Sequence, residues 1–172
     1  MKNNKVIKLC YTAMFTAMIF VLTRFVSVPV ASGYVHFGDA LIYIVASTLG
    51  GPWAVFAAMV GEALADLAGG YAFYAPATLI VKALMALPFV FVYKKSEKTL
   101  TLYTFIMSIV AGVINVFGYF IGDLIIDKTY AFVDIPGNII QSVGSLIIFV
   151  IIAFAFDKAN LKKKLFMDGA KK

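Results

Sequence analysis

The chain has 172 residues, 62% of them apolar and 14% charged, and this composition excludes a soluble domain of average kind. A transmembrane helix takes about 20 apolar residues, so the length accommodates about six spans and leaves no room for a soluble catalytic domain. The net charge of +6 comes from lysines at both termini and in one short loop, so it indicates membrane topology and argues against a nucleic-acid partner.

The first apolar segment, residues 6–30, follows a basic N-terminus and is long enough to cross a bilayer. A cleavable signal peptide is the alternative, because Val30-Ala31-Ser32 offers the small residues that signal peptidase favours. The segment exceeds the apolar core of a signal peptide, which is about 7–15 residues long, and we therefore predict a retained helix.

Two shorter apolar segments follow, residues 37–50 and 52–67, and Gly50-Gly51-Pro52 separates them. Glycine and proline break helices, so this tripeptide predicts a tight turn between antiparallel helices. The pair forms either two compact spans or one re-entrant hairpin, and two spans agree better with the charges that come later in the chain.

Three further segments lie at residues 76–93, 100–126 and 136–156. Pro76 and Pro136 open two of them, and proline suits the first helical turn because its missing N–H would have no partner there. The sequence therefore predicts an all-α, polytopic membrane protein, with six transmembrane helices in a single domain over residues 1–172 and a basic tail at 157–172.

Basic residues set the orientation, because Lys and Arg accumulate in cytoplasmic loops. With six spans, the two termini and the loop between segments four and five share one side of the membrane. We therefore predict cytoplasmic termini. That side carries 12 of the 15 basic residues: Lys2, Lys5, Lys8, Lys94, Lys95, Lys98, Lys158, Lys162, Lys163, Lys164, Lys171 and Lys172.

The three loops on the opposite side, around residues 31–36, 68–75 and 127–134, contain Lys128 as their only basic residue. They are rich in Gly, Tyr, Phe and Asp, a composition that suits binding or covering a ligand. The alternative is a set of ordinary interfacial turns with an aromatic belt, which explains the tyrosines equally well: Tyr34, Tyr71, Tyr74 and Tyr130.

Several predicted spans carry ionisable side chains, which cost about 2.5–3.5 kcal/mol each at the centre of a membrane helix. Glu62 and Asp66 are four residues apart, so they lie on one helical face, and Lys82 lies at a similar depth on the next segment. Buried charges in membranes usually pair, so we predict a structural ion pair of Glu62 or Asp66 with Lys82.

Neutral polar side chains also recur at helical spacing in the outer half of the last two segments. Asn115, Tyr119 and Asp123 follow one another at four-residue steps, and Asn138 and Gln141 are three residues apart. They form two polar stripes that line a binding site or, alternatively, hydrogen-bond one helix to another.

Small residues form a stripe at the start of the first segment. Ala13 and Ala17 share one face, and Thr12 and Thr16 share the adjacent face. Such stripes let another helix approach closely, either within the bundle or from a separate subunit.

Motifs for catalysis are missing from the sequence. It has no phosphate-binding G-x-x-x-x-G-K-[ST] loop and no G-x-S-x-G elbow, and His36 is its single histidine. Cys10 is its single cysteine, which excludes an internal disulfide and a thiolate metal site. We therefore predict a transport or binding protein and not an enzyme, with no metal and no cofactor of its own.

Four stretches of the sequence together resemble the substrate-binding subunit, or S component, of energy-coupling factor (ECF) vitamin transporters. These stretches are residues 33–40, 49–52, 65–71 and 74–84, and the resemblance covers essentially the whole chain. The segment Ala13-Met14-Phe15-Thr16-Ala17 resembles the A-x-x-x-A motif with which such subunits dock on their coupling subunit. The Gly38-Asp39 pair and the run from Ala75 to Lys82 are the more specific pieces.

The resemblance implies a six-helix subunit of an ECF-type ABC importer in a prokaryotic plasma membrane. It implies a vitamin pocket near the outer surface, a transmembrane (EcfT-like) coupling subunit as partner and two cytoplasmic ATPase subunits that use the ATP. It also implies that the whole subunit topples in the bilayer to deliver its substrate. Within the family, the chain is closest to subunits for hydroxymethylpyrimidine or pyridoxine, with riboflavin next.

We expect aromatic and amide side chains to hold the ring of such a ligand. Glu62 and Asp66 are expected to orient Lys82. Two rivals remain: a stand-alone, proton-coupled transporter that titrates Glu62 or Asp66, and a scaffold whose charges only hold helices together. The candidate pocket residues are His36, Asp39, Tyr74, Lys82, Asn115, Tyr119, Asn138 and Gln141.

Overall fold

The structure, a computed structural model, describes residues 2–29 and 34–167. A 3-10 turn at Leu87–Phe91 and another at Tyr93–Lys95 follow the fourth helix, and a π-helical turn at Lys163–Met167 follows the last one. The prediction of an all-α membrane fold is confirmed, with one small β-hairpin added. The elements in chain order are α1 (Lys2–Phe25), β1 (Ser27–Pro29), β2 (Tyr34–His36), α2 (Gly38–Thr48), α3 (Gly51–Gly69), α4 (Ala75–Ala86), α5 (Leu102–Ile126), α6 (Lys128–Val133) and α7 (Ile135–Lys158).

Helix α2 forms the centre of the bundle, and every one of its residues is buried. Helices α1, α3 and α7 pack around it. The ring of Tyr43 stacks on Phe89 at 5.9 Å between centroids and meets Phe149 edge-on at 5.8 Å. At 1.5 Å per residue, the 11 residues of α2 extend about 16 Å, roughly half the thickness of a bilayer core. Other helices therefore enclose α2 and shield it from lipid.

Within the described residues, four stretches are long and apolar enough to cross a membrane: Lys5–Phe25, Ala75–Lys95, Leu102–Ile126 and Ile135–Lys158. Helix α2 is too short for this criterion, and α3 carries two acidic side chains. The count of six spans stays a prediction.

The predicted turn between the second and third segments is confirmed. Gly50 and Gly51 adopt positive φ angles of 60° and 61°, a conformation that side chains with a Cβ disfavour. A Cβ at Gly50 would also overlap the ring of Tyr93, so this turn lies at the same end of the bundle as the basic loop.

The first predicted segment ends differently from the prediction. Helix α1 ends at Phe25, and residues 27–29 form β1, which pairs antiparallel with β2 in the register Val28 to Val35. The apolar run continues across this boundary, so hydropathy alone places the helix end at residue 30. Val28 and Pro29 disfavour a helix interior, and this preference ends α1 early.

The predicted loop at residues 127–134 also differs, because it contains helix α6. Asp127 caps this helix by accepting a hydrogen bond from the backbone N–H of Thr129 at 2.9 Å. Residues 30–33 of the first outer loop, including the candidate cleavage site, lie outside the described residues, as do Lys171 and Lys172 of the tail.

The two ends of the bundle differ in chemistry. At one end, Lys162 donates to the carbonyls of Tyr93 at 2.6 Å and Lys98 at 3.1 Å, and Asp157 accepts from the N–H of Leu100 at 2.9 Å. These bonds tie the basic loop to the segment after α7. At the opposite end, the hairpin, the α3–α4 connection and the start of α7 meet around a cavity.

Candidate binding site

A cavity of about 60 Å³ lies at the end of the bundle opposite the basic loop. Strand β2, the α3–α4 connection, the last turns of α5 and the first turns of α7 form its walls. Three of the loops that carry little positive charge therefore converge on one small space. The lining residues are Tyr34, Val35, His36, Tyr71, Tyr74, Tyr119, Asp123, Asp134, Gly137, Asn138 and Gln141.

Tyrosine rings form much of the wall, and hydrogen bonds fix the position of three of them. Tyr34 donates to Asp66 Oδ1 at 2.7 Å, and Tyr74 donates to Asp123 Oδ1 at 2.7 Å. The hydroxyl of Tyr119 lies 3.0 Å from that of Thr78 on α4. Burial raises the pKa of Tyr34, so this phenol stays neutral and keeps its proton.

A closed network of hydrogen bonds lies beneath the cavity. Lys82 on α4 donates to Asp39 Oδ1 at 2.6 Å and to Asn115 Oδ1 at 2.9 Å. Gln141 Nε2 donates to Asp39 Oδ2 at 2.8 Å, and Asn115 Nδ2 donates to Ser142 at 3.3 Å. The network joins α2, α4, α5 and α7, so it fixes the floor of the cavity and offers few free polar atoms to a ligand.

His36 connects the wall to a second buried acid. Its Nδ1 accepts the backbone N–H of Gly38 at 3.3 Å, so the Nε2 proton points to Glu62 Oε2 at 3.3 Å. Thr23 on α1 donates to Glu62 Oε1 at 2.9 Å. Burial lowers the pKa of His36 to about 3, so the imidazole is neutral at physiological pH.

His36, Asp39 and Glu62 present donor atoms within 4.8 Å of one another, the spacing of a metal site. Both oxygens of Asp39 already accept hydrogen bonds, one of them from the ammonium group of Lys82. A metal ion there would displace Lys82 and meet its positive charge. The cluster therefore suits a hydrogen-bonded network and not a cation.

Comparison with known proteins identifies the family of the chain. The family described as ECF-type riboflavin transporter, S component, matches residues 3–158. The chain belongs to this S-component family. The chain is also 30% identical over 126 residues to a protein of Pyrococcus woesei described as an uncharacterized protein in the gap 3' region. This alignment covers 72% of the present chain and 82% of the Pyrococcus protein.

Membership settles the general role. An S component is the substrate-binding membrane subunit of an ECF transporter, where it works with an EcfT coupling subunit and an ATPase module. The family is a transporter family and not an enzyme family.

The structure places the eight predicted pocket residues of this S component in two layers. His36, Tyr74, Tyr119, Asn138 and Gln141 line the cavity. The other three, Asp39, Lys82 and Asn115, are completely buried below it and belong to the network of the floor. The bundle thus brings all eight together, but it gives those three no access to the cavity.

Sequence reasoning missed several wall residues of the S component. Tyr34 and Tyr71 stood out only as members of an aromatic belt, and Asp123 stood out only as the end of a polar stripe. For Tyr34, Tyr71 and Asp134, the available signal was their position in loops of low positive charge. Gly137 gave no signal, because it becomes a wall residue only when the start of α7 packs near β2.

The predicted ion pair between Lys82 and the two acids of α3 is replaced in the structure. Lys82 pairs with Asp39, while Glu62 faces His36 and Asp66 accepts from Tyr34. Asp39 stands in the first turn of the central helix α2, so its carboxylate reaches α4 directly. Sequence spacing cannot show this, because 43 residues separate the two partners.

Proposed function

We propose that this S component captures a small water-soluble vitamin or vitamin precursor in the cavity between β2, α5 and α7, on the extracellular side. A ligand like hydroxymethylpyrimidine or pyridoxine is favoured, and riboflavin is next. An EcfT-like coupling subunit, driven by two cytoplasmic ATPases, then delivers the ligand inward. The observation that carries the proposal is a cavity walled by tyrosines and hydrogen-bonding side chains.

The chemistry of the wall supports a ring-shaped ligand. Aromatic side chains bury the faces of a heteroaromatic ring, and a few polar groups fix its orientation. Asn138 and Gln141 supply amide groups on α7, and Tyr74 and Tyr119 supply rings on the facing wall.

The small-residue stripe on α1 supports docking of a partner subunit. Ala13 and Ala17 are both exposed, while Thr12 is buried and bonds to the carbonyl of Lys8. The alanine face of the stripe is therefore not used for packing within the described chain. A face of small residues suits close approach by another membrane helix.

The position of the charges supports six spans with both termini in the cytoplasm. The cavity and the basic loop lie at opposite ends of the bundle, and basic loops remain cytoplasmic. In this orientation the cavity opens to the exterior.

Binding measurements on the purified subunit test the proposal. Titration calorimetry in detergent against hydroxymethylpyrimidine, pyridoxine and riboflavin is expected to give at least one dissociation constant below micromolar. Tyr71→Ala removes a wall ring and is expected to weaken that binding about tenfold, since aromatic contacts contribute about 0.5–1.5 kcal/mol beyond burial.

Tyr103→Ala is the matched control, because Tyr103 is 55% exposed and lies at the start of α5, at the opposite end of the helix from the cavity. The Tyr103→Ala variant is expected to bind the vitamin with the same affinity as the unchanged protein. If no vitamin of the panel binds, or if both tyrosine variants lose the same affinity, the cavity is not the binding site.

The proton-coupled alternative gains little from the geometry. Glu62 and Asp66 are not among the residues that line the cavity. Glu62 Oε1 accepts a hydrogen bond from Thr23, and Asp66 Oδ1 accepts one from Tyr34. Liposomes that contain this subunit alone distinguish the two functions. A proton gradient drives uptake there only under the alternative.

A further inference from the structure

Two carboxylates face the cavity from neighbouring elements. Asp123 lies in the last turns of α5, and Asp134 immediately precedes α7. Tyr74 donates to one oxygen of Asp123 at 2.7 Å. Burial and the nearby charge of Asp123 raise the pKa of Asp134 above its ordinary value.

Positive charge is missing from the same wall. Among the described lining residues there is no lysine or arginine, and His36 is neutral because burial lowers its pKa to about 3. Lys82 does not compensate, because it is completely buried and bound to Asp39. Its ammonium group lies over the ring of Tyr119 at 5.1 Å, and that ring belongs to the wall.

Four tyrosines line the same cavity as the two carboxylates. The rings of Tyr34 and Tyr71 are 5.1 Å apart, and those of Tyr74 and Tyr119 are 6.5 Å apart and edge-on. The hydroxyls of Tyr34 and Tyr74 already donate to carboxylates, so these residues offer a ligand mainly their rings. Ring faces and carboxylates both attract cations and polarised N–H groups.

We infer that Asp123 and Asp134 select the ligand by charge, so that the cavity takes a small nitrogen heterocycle with an amino group or a protonated nitrogen and rejects phosphorylated forms. This inference rests on the proposed function and names the chemical class of its substrate. A phosphate ester in this cavity would lose its hydration beside two carboxylates and find no cationic partner. An exocyclic amino group finds a carboxylate acceptor and an aromatic face.

The experiment compares ligands that share one ring and differ in charge. Calorimetry uses pyridoxamine, pyridoxine and pyridoxamine phosphate as one series, and hydroxymethylpyrimidine and its phosphate ester as the other. The amino compounds are expected to bind at least tenfold more tightly than pyridoxine, and the phosphate esters at least a hundredfold more weakly than the amino compounds.

Two isosteric variants test the carboxylates directly. Asp123→Asn keeps an oxygen that accepts from Tyr74, and Asp134→Asn removes the negative charge before α7 while keeping the size of the side chain. Each is expected to weaken binding of the amino compound tenfold or more and to narrow the gap to its phosphate ester. Asp127→Asn is the matched control, because Asp127 is exposed, does not line the cavity and keeps its capping role as asparagine.

The outcomes separate the two claims. Three results would overturn selection by charge and leave the proposed function in place: equal affinity for the amino and phosphate forms, tight binding of riboflavin alone, or unchanged affinity in Asp134→Asn. Binding of no ligand by the unchanged protein overturns the proposed function itself. Thermal unfolding in detergent confirms that each variant is folded, and Asp134→Asn alone decides the result if Asp123→Asn unfolds.

Discussion

The ammonium group of Lys82 is buried completely, and Asp39 at 2.6 Å is its charged partner. Removing one member of such a pair leaves an uncompensated charge, whereas replacing both members with neutral groups removes the desolvation cost along with the attraction. The pair therefore stabilises the fold only as a unit, and it holds α2 against α4 below the cavity.

Lys82→Met is expected to lower the stability by about 3–5 kcal/mol, because Asp39 then remains charged without its partner. The double variant with Asp39→Asn is expected to recover most of this loss, since asparagine still accepts from Gln141. Unfolding temperatures in detergent measure both. If the double variant is no more stable than Lys82→Met, the loss of stability does not come from the unpaired charge of Asp39.

His36 makes the stability of the fold depend on pH. Burial lowers its pKa to about 3, against about 6.5 in an unfolded chain, while Glu62, Asp39 and Lys82 surround the imidazole. The unfolded state therefore binds a proton between these values and the folded state does not, so the stability is complete above pH 6.5 and falls as the pH drops towards 3.

The measurement compares unfolding at pH 7 and pH 4 for the unchanged protein and His36→Gln, which keeps a donor for Glu62 but cannot titrate. We expect the unchanged protein to lose about 3 kcal/mol more than the variant. Parallel pH profiles of the two proteins would show that His36 is not buried in its neutral form.

At the scale of single elements, α1 carries an exposed face of small residues that includes Ala13 and Ala17. We expect Ala13→Leu and Ala17→Leu to abolish uptake by the complete transporter, because a bulky side chain blocks close approach of the coupling subunit. Ligand binding by the isolated subunit is expected to remain, since α1 does not line the cavity.

Ala155→Leu provides the same change at an exposed position of α7 and is expected to leave uptake intact. Uptake in cells and calorimetry on the purified subunit are the two readouts. Loss of binding together with uptake would place the two alanines in the internal packing of the bundle.

Elements differ in how far the sequence predicts them. Long apolar runs predict α5 and α7 to within about two residues, because hydropathy and the prolines at helix starts depend on local chemistry. The end of α1 is missed, since the same apolar run continues into β1. Helix α6 is missed because six residues carry little periodicity, although Asp127 is a good N-cap.

The candidate binding site depends on the whole molecule, and the sequence predicts only part of it. Chemical type identifies polar residues that a bilayer disfavours, and this principle brings together all eight predicted residues. It cannot divide them into wall and floor, because that division depends on α2 lying in the centre of the bundle. The partner of Lys82 is missed for the same reason.

Membrane topology is also a property of the whole molecule. We predict it from the chemical difference between the two ends of the bundle. We predict that Lys128 in α6 faces the exterior, while Lys98 and Lys164 face the cytoplasm. Cys10 is the single cysteine, so Cys10→Ser gives a background without thiols, and all three lysines are exposed. Each is replaced by cysteine in turn.

In intact cells, a membrane-impermeant maleimide is expected to label Lys128→Cys alone, and the other two sites are expected to react only after permeabilisation. Helix α5 separates Lys98 from Lys128, and α7 separates Lys128 from Lys164, so each pair tests one span. The opposite labelling pattern would place the cavity on the cytoplasmic side and contradict capture from outside. Labelling of all three cysteines in intact cells would show that α5 and α7 do not separate these positions. That result would contradict the prediction that both helices span the membrane, for which they are long and apolar enough.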